Sequence, residues 1–413
     1  MVENKRWLSD KYWLSHFNYV DEVRQQFTLP ERVYIHDVTL REAEQAPHVS
    51  LLPQEKVRIA KALDELGVYS VELAPFYSSY DKEATKELVK MRRNGELKAK
   101  VICLSRWMEQ DVDLALECGA DGVMIECVGN PWFCKQAWGI DEDGLVERLT
   151  RVVAYAKKNG IFTVAEPWDD YKAPLEFLER LCKSAVYEGG ADHISISDTF
   201  GFTLPWAITY VVRKLKSWVP GIPIEHHGHN DFGLATMVMI AAVVGGAEVV
   251  QTSINATGER AGNAATEEVA MAIQLLLGVD TGIKLDRIYP TCQLVSELTK
   301  IPIASNKPIV GDNEFVYGSS MVAWMIEQLG KQGRPFTMMP FMPELIGRKG
   351  YEVILGRGAG GYTVRERLKK MGLSATKEQI REIVERVKEE AAIRKWSVPD
   401  FAFEEIVKEV LGE

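Results

Sequence analysis

Between residues 33 and 276 the chain repeats one pattern eight times: a short apolar, β-branched run, then a longer stretch with helical spacing. The runs are VYIHD (33–37), YSVELA (69–74), KVICLS (100–105), GVMIEC (122–127), FTVAE (162–166), HISISD (193–198), IPIEHH (222–227) and EVVQTSI (248–254). Helices are expected around 53–66, 82–93, 109–118, 142–158, 174–189, 206–217, 233–245 and 264–276. Strands that alternate with helices imply a parallel sheet with helical crossovers. Eight such units in about 250 residues suit a closed (β/α)8 barrel better than an open doubly wound sheet. The runs show little strict alternation, as expected of strands buried on both faces. The expected fold class is therefore α/β, a TIM barrel over residues 31–280 followed by a smaller, mainly helical C-terminal domain.

Flanking segments complete the expected organisation. Residues 1–30 carry Trp7, Trp13, Phe17 and Tyr19 among polar residues and read as a helical arm. Beyond residue 280 the rhythm stops, so 281–413 reads as a linker and helical domain, with helices near 317–332, 363–372, 376–396 and 399–412. A net charge of −10 argues against a general nucleic-acid binder, whose affinity depends on neutralising phosphates, yet leaves room for a local cationic pocket. The six cysteines include no C-x-x-C pair and read as buried free thiols in a reducing compartment. No long apolar run suggests a membrane span, and the N-terminus MVENKRWLSDKYW has no apolar signal region. A cytoplasmic protein is expected.

In a barrel of this type the reactive groups sit at the C-terminal ends of the strands. Here the strand ends supply Asp37 and then Arg41-Glu42, Glu72, Arg106, Glu126, Glu166, Asp198-Thr199, His227 and His229, and finally Asn255, Glu259 and Asn263. Eight strand ends in succession carry polar or charged groups, which marks a site. In IEHHGHNDFG (224–233), His227 and His229 stand at i and i+2 and share one side of a strand, whereas His226 faces the other way. Two imidazoles with a carboxylate from Glu42 leave positions open on a divalent ion, as catalysis requires. Zn²⁺, Mn²⁺, Fe²⁺, Co²⁺ and Mg²⁺ are all compatible with these ligands. Arg41, next to the expected carboxylate ligand, is placed to stabilise an oxyanion.

These stretches carry a family resemblance. HDVTLREAEQAP (36–47), HGHND (227–231) and GERAGNAATEEV (258–269) resemble three ordered motifs of the DRE-TIM metallolyases. SDTFGFTLP (197–205) and PELIGRKGYEVILGRGAG (343–360) are similar to further segments of the homocitrate, isopropylmalate and citramalate synthases in that family. The resemblance covers about residues 30–375. It implies a divalent metal held by Glu42, His227 and His229, with Asn263 as a further ligand. It also implies contacts from Arg41, Gln45 and Thr199 to a 2-oxo acid, with Glu72 and Asp198 in the same pocket. The implied reaction is a Claisen-type condensation of an acyl-CoA, such as acetyl-CoA, with a 2-oxo acid. A homodimer is implied as well. The alternatives are a retro-Claisen lyase resembling 3-hydroxy-3-methylglutaryl-CoA lyase, and a metal-binding relative without catalysis.

The departures from the pattern matter equally. The synthases carry a catalytic histidine in their second domain, but here the matching stretch is FVYGSSMV (315–322) and no histidine follows His229. His48 or Tyr317 could substitute as the base. Strand 4 ends in ECVGNPW (126–132) without the usual Ser/Thr residues, and EPWDDYK (166–172) lacks the expected arginine. GRGAGG (356–361) fits a dinucleotide-binding glycine pattern, but without a βαβ unit around it these glycines read as a turn.

Overall fold

A computed structural model describes residues 5–412; residues 1–4 of the expected arm and residue 413 lie outside the described residues. Eight parallel strands close into a barrel: β1 (Tyr34–Asp37), β2 (Ser70–Leu73), β3 (Lys100–Arg106), β4 (Gly122–Val128), β5 (Phe162–Trp168), β6 (His193–Asp198), β7 (Ile224–Gly228) and β8 (Val249–Thr252). The last strand closes on the first, with Tyr34 opposite Val249 and Asp37 opposite Thr252. Helices Pro53–Leu66, Glu109–Cys118 and Glu142–Lys158 begin and end where the spacing places them. The expected TIM barrel and its helical C-terminal region are both present.

Two layers of side chains hold the barrel. Val123, Ile125, Ala165, Ile194 and Ile196 point outward and pack under the helices with Leu149, Val153, Leu181 and Val212. Burial of such aliphatic side chains contributes about 1.5–3 kcal/mol each. The interior is divided in character. Ile102, Leu104, Met124 and Val164 form an apolar cluster on the β3–β5 side. The opposite side is polar, with buried His36, Ser70, Glu72, Ser195, Glu225 and Gln251. Polar groups so deeply buried are costly unless hydrogen-bonded, and these are held in two groups, His36 with Ser70 and Glu72, and Gln251 with Ser195 and Glu225.

The chain folds as two compact units, residues 16–303 and a second that joins the described residues before 16 to those from 304 on. The barrel unit extends past the expected boundary at 280 because helix Ile288–Thr299 packs into it, with Cys292 and Val295 fully buried. Among the described residues of the expected arm, Leu8 and Trp13 form an antiparallel bridge, and only short turns of helix occur, at His16–Tyr19 and Asp21–Arg24. The second unit has a parallel pair, β9 (Val316–Tyr317) with β10 (Glu352–Val353), and helices Ser320–Gly330, Gly361–Lys370, Lys377–Arg394 and Asp400–Leu411. Its core is built on Leu355, Ile383, Val387 and Phe403. All six cysteines are buried free thiols. Among the described residues, no helix is long and apolar enough to cross a membrane.

Candidate active site

The turn after β1 is the first part of the site. Asp37 accepts hydrogen bonds from the Thr39 backbone N–H (2.9 Å) and the Thr266 hydroxyl (3.1 Å), which starts a single helical turn, Thr39–Glu42. Burial pushes the Asp37 carboxyl up to about 6 against these hydrogen bonds. The turn delivers Arg41 and Glu42 side by side, both buried. Arg41 donates through Nε to Glu72 (2.6 Å) and through Nη1 to Glu42 and Gln45. Its Nη2 makes no hydrogen bond with any described residue. Burial works against the Glu72 carboxylate, but Arg41 and His36 outweigh it and hold the group down at about 2.

On the other side, His227 lies near the end of β7 and His229 just beyond it. Their Nε2 atoms are 3.2 Å apart, and one ligating atom from each of Glu42, His227 and His229 falls within 4.8 Å of the others. Burial, reinforced by His229, lowers the His227 imidazole to about 3, and burial likewise lowers His229. The His227 ring is therefore neutral, and burial favours the neutral form of His229 as well. Burial opposes ionisation of Glu42, but the adjacent Arg41 guanidinium holds its carboxyl below the usual range. An ionised carboxylate and two neutral imidazoles match a divalent cation. The Glu42 Oε2 and Asn263 Oδ1 atoms are buried without a hydrogen-bond partner, as expected of donors facing an ion, so the residues present fit a metal.

Asn263 reaches this cluster through loop pairing. His229 and Asn263 form an antiparallel bridge, flanked by Asn230 N–H to Gly262 O (2.8 Å) and Ala264 N–H to Gly228 O (3.2 Å). Gly258, at φ +155°, permits the approach, since a Cβ there would lie 2.2 Å from Asn263 Nδ2 and 3.1 Å from Glu42 Oε2. Arg260 clips three loops together by donating to the Thr199 carbonyl, to Asp231 (2.9 Å) and to Glu259 (3.0 Å). Asn230 caps the following segment by accepting from the Ala235 N–H.

Several expected site residues are already engaged. The Asp198 carboxylate accepts from the N–H groups of Phe202 and Thr203 and from the Thr203 hydroxyl, so it organises the loop after β6. The Thr199 hydroxyl accepts from the Asp169 N–H (2.8 Å). Gln45 bridges Arg41 to the Tyr77 hydroxyl (3.0 Å). His48 sits exposed at φ +71° in the loop after the Arg41–Glu42 turn and makes no hydrogen bond with a described residue. Tyr317 belongs to the second unit, where burial, Glu314 and Tyr351 push its phenol up to about 12, a poor value for a base. His226 is buried behind the barrel wall near Tyr171 (3.2 Å).

Two further groups stand out: Gln251, which the sequence patterns do not single out, and Glu166, expected there as the acid at the end of its strand. Gln251, inside β8, accepts from His227 Nδ1 (3.0 Å), while its amide nitrogen faces Ser195 (3.0 Å) and Glu225. Its signal in the sequence is an amide within the apolar run EVVQTSI. Glu166 accepts from Ser195 and Ser197, and burial, with Glu72 and Glu126 nearby, pushes its carboxyl up to about 8.

Comparisons with known proteins accord with this geometry. Residues 32–295 match the HMGL-like family, and residues 327–395 match the homocitrate synthase post-HMGL domain-like family. The 2-isopropylmalate synthase of Methanocaldococcus jannaschii is 36% identical over 400 residues, covering 95% of this chain and 74% of the relative. Homocitrate synthase AksA of Methanopyrus kandleri is 35% identical over 395 residues, covering 95% of this chain and 96% of the relative. The (R)-citramalate synthase CimA of M. jannaschii is 36% identical over 381 residues, covering 92% and 75%. Among solved structures, the HMG-CoA lyase of Bacillus subtilis aligns with a TM-score of 0.59 at 21% identity, over 67% of this chain and 97% of that one, which shows the shared fold.

Proposed function

The chain belongs to the HMGL-like family of DRE-TIM enzymes, and from that premise we propose that it is a metal-dependent synthase condensing an acyl-CoA with a 2-oxo acid. The observation that carries this reading is the convergence of Glu42, His227 and His229 beside a buried Arg41 at the barrel mouth. A divalent cation held by these three residues, with Asn263 as a further oxygen ligand, would supply Lewis acidity toward the carbonyl and carboxylate of the 2-oxo acid.

The chain's own residues account for the rest. Glu72 and Glu42 fix the Arg41 guanidinium and leave Nη2 open, so its N–H groups can stabilise the oxyanion that develops as the carbonyl is attacked. Gln251 orients His227 with Nε2 toward the cluster. Gln45, held by Arg41, and Thr199 would orient the 2-oxo acid, while Asp198 and Arg260 hold the loops that carry Thr199 and Asn263. With water as third reactant, acyl-CoA and 2-oxo acid give a hydroxylated diacid and free CoA.

The test is a thiol-release assay on metal-loaded protein with acetyl-CoA and a panel of 2-oxo acids. Release of CoA that depends on one oxo acid supports the synthase. Silence there, combined with cleavage of a 3-hydroxyacyl-CoA, would establish the lyase direction instead. His229→Ala should lose bound metal and turnover together, and retention of both would remove the ligand assignment.

A further inference from the structure

Condensation of a thioester needs a base to take the proton from the carbon next to the carbonyl, and most acids and bases at the barrel mouth are already committed. Glu72 is bound to Arg41 and His36. Glu166 accepts from two serines, Asp198 from the loop after β6, and Glu259 from Arg260. The Tyr77 hydroxyl accepts from Gln45, and His36 faces Ser70 and Glu72.

Glu126 is different. Along β4, Met124 packs in the inner cluster and Ile125 in the outer one, so alternation turns Glu126 inward, one step nearer the mouth. It stands in register with Arg106 on β3 and Glu166 on β5. Arg106 is turned away, held by both oxygens of Asp111. Glu126 is half-buried and makes no hydrogen bond or ion pair with any described residue, yet it feels the charges of Arg41, Glu72, Glu42 and Glu259 across the mouth.

Resting on the synthase reading above, we propose that Glu126 is the base that abstracts the α-proton of the acyl-CoA. Its carboxylate takes the proton, and the C–H electron pair becomes the double bond of the enolate. The enolate carbon then attacks C2 of the 2-oxo acid, forming the C–C bond. The carbonyl π pair moves to oxygen, giving an alkoxide beside Arg41 that takes up a proton from Glu126 or solvent. Water then hydrolyses the thioester, releasing the thiol and a carboxylate. Burial pushes the Glu126 carboxyl up; Arg41 opposes this, Glu72, Glu42 and Glu259 add to it, and the group titrates at about 7. A base poised near the working pH is the most effective one.

The experiment uses the metal-loaded full chain with acetyl-CoA and the 2-oxo acid that wild type turns over. Glu126→Gln should lower kcat by roughly a hundred- to ten-thousand-fold. Metal content by mass spectrometry and KM for the 2-oxo acid should stay within about threefold of wild type. Glu126→Asp, which keeps a carboxylate at a longer reach, should retain intermediate activity. With methyl-deuterated acetyl-CoA it should show a larger primary isotope effect than wild type, because proton removal has become slower. A Glu126→Gln enzyme within about tenfold of wild type, or one that loses its metal along with activity, would overturn the assignment. An unchanged isotope effect in Glu126→Asp would do the same if Glu126→Gln fails to fold. If wild type turns over no acyl-CoA with any 2-oxo acid, the synthase reading fails first, and this outcome is distinct from an active wild type with an unaffected variant.

Discussion

A neutral histidine can carry its proton on either ring nitrogen, and a metal ligand needs the right one bare. For His227 the choice is made by Gln251. The glutamine amide nitrogen points at Ser195 Oγ and Glu225 Oε2, so its carbonyl oxygen must face the imidazole and accept from Nδ1–H. The lone pair then lies on Nε2, the atom directed at His229 and Glu42. Partners of this kind typically contribute ten- to a hundredfold to metal affinity. Gln251→Leu should therefore weaken binding of the divalent ion by about that factor, read by competition against a chromophoric chelator, with the circular dichroism spectrum unchanged. Equal affinity in the variant would mean that His227 selects its tautomer without this partner. His227, His229 and Glu42 are legible in the sequence because short-range spacing and a strand-end position single them out. Gln251 is not, because its role comes from three strands meeting inside a closed barrel, a non-local fact that no local pattern encodes.

At the level of the elements, β4 and β5 set the charge at one side of the mouth. Each carries an inward glutamate near its end, Glu126 and Glu166, at the same height in the sheet. The cations carried by nearby strand ends and loops are already matched: Arg106 by Asp111, Lys172 by Asp169, Arg260 by Asp231 and Glu259, and Arg41 by Glu42 and Glu72. A 2-oxo acid bearing a second carboxylate would find acids there instead of a counter-ion. Among substrates of equal length, monocarboxylic 2-oxo acids should be preferred by at least about tenfold in kcat/KM, or about 1.4 kcal/mol in the transition state. Steady-state kinetics on matched pairs checks this, and preference for the dicarboxylic member would refute the charge argument. The strands themselves are readable because burial on both faces leaves long apolar runs. Helix Pro131–Trp138 is not, although Asn130 caps it and a proline opens it, because eight residues are too few for a helical period to emerge. Helix Ile288–Thr299 escapes a local reading for a related reason: Pro290 in its first turn reads as a break, and only packing shows that the helix continues the barrel unit.

For the molecule as a whole, these buried acids tie stability to pH. Asp37, Glu126 and Glu166 are pushed up to about 6, 7 and 8, burial being the first cause in each case. A group that holds its proton more tightly when folded favours the native state below its unfolded value, and that contribution is lost as pH rises through the folded value. Glu72 works the other way: held at about 2, it stabilises the fold above the ordinary glutamate value of 4.5 and loses its contribution only as pH falls toward 2. The opposing signs place the most stable condition of the metal-free protein on the mildly acid side, near pH 5. From there to pH 8.5 the three raised carboxyls must ionise inside the barrel or at its mouth. For Glu166 alone, displacement from 4.5 to about 8 represents a few kcal/mol, at about 1.4 kcal/mol for each tenfold in proton affinity. The melting temperature of metal-free wild type should accordingly fall by roughly 5 °C or more between pH 5.5 and 8.5. Glu166→Gln can still accept from Ser195 and Ser197 but cannot ionise, so it should remove a large part of that fall and raise the melting temperature at pH 8.5. The growing negative charge of the whole chain also lowers stability at high pH, but it acts on wild type and variant alike, so the difference between their two pH profiles isolates the buried carboxyl. Parallel profiles for the two proteins would show that Glu166 is already ionised in the fold.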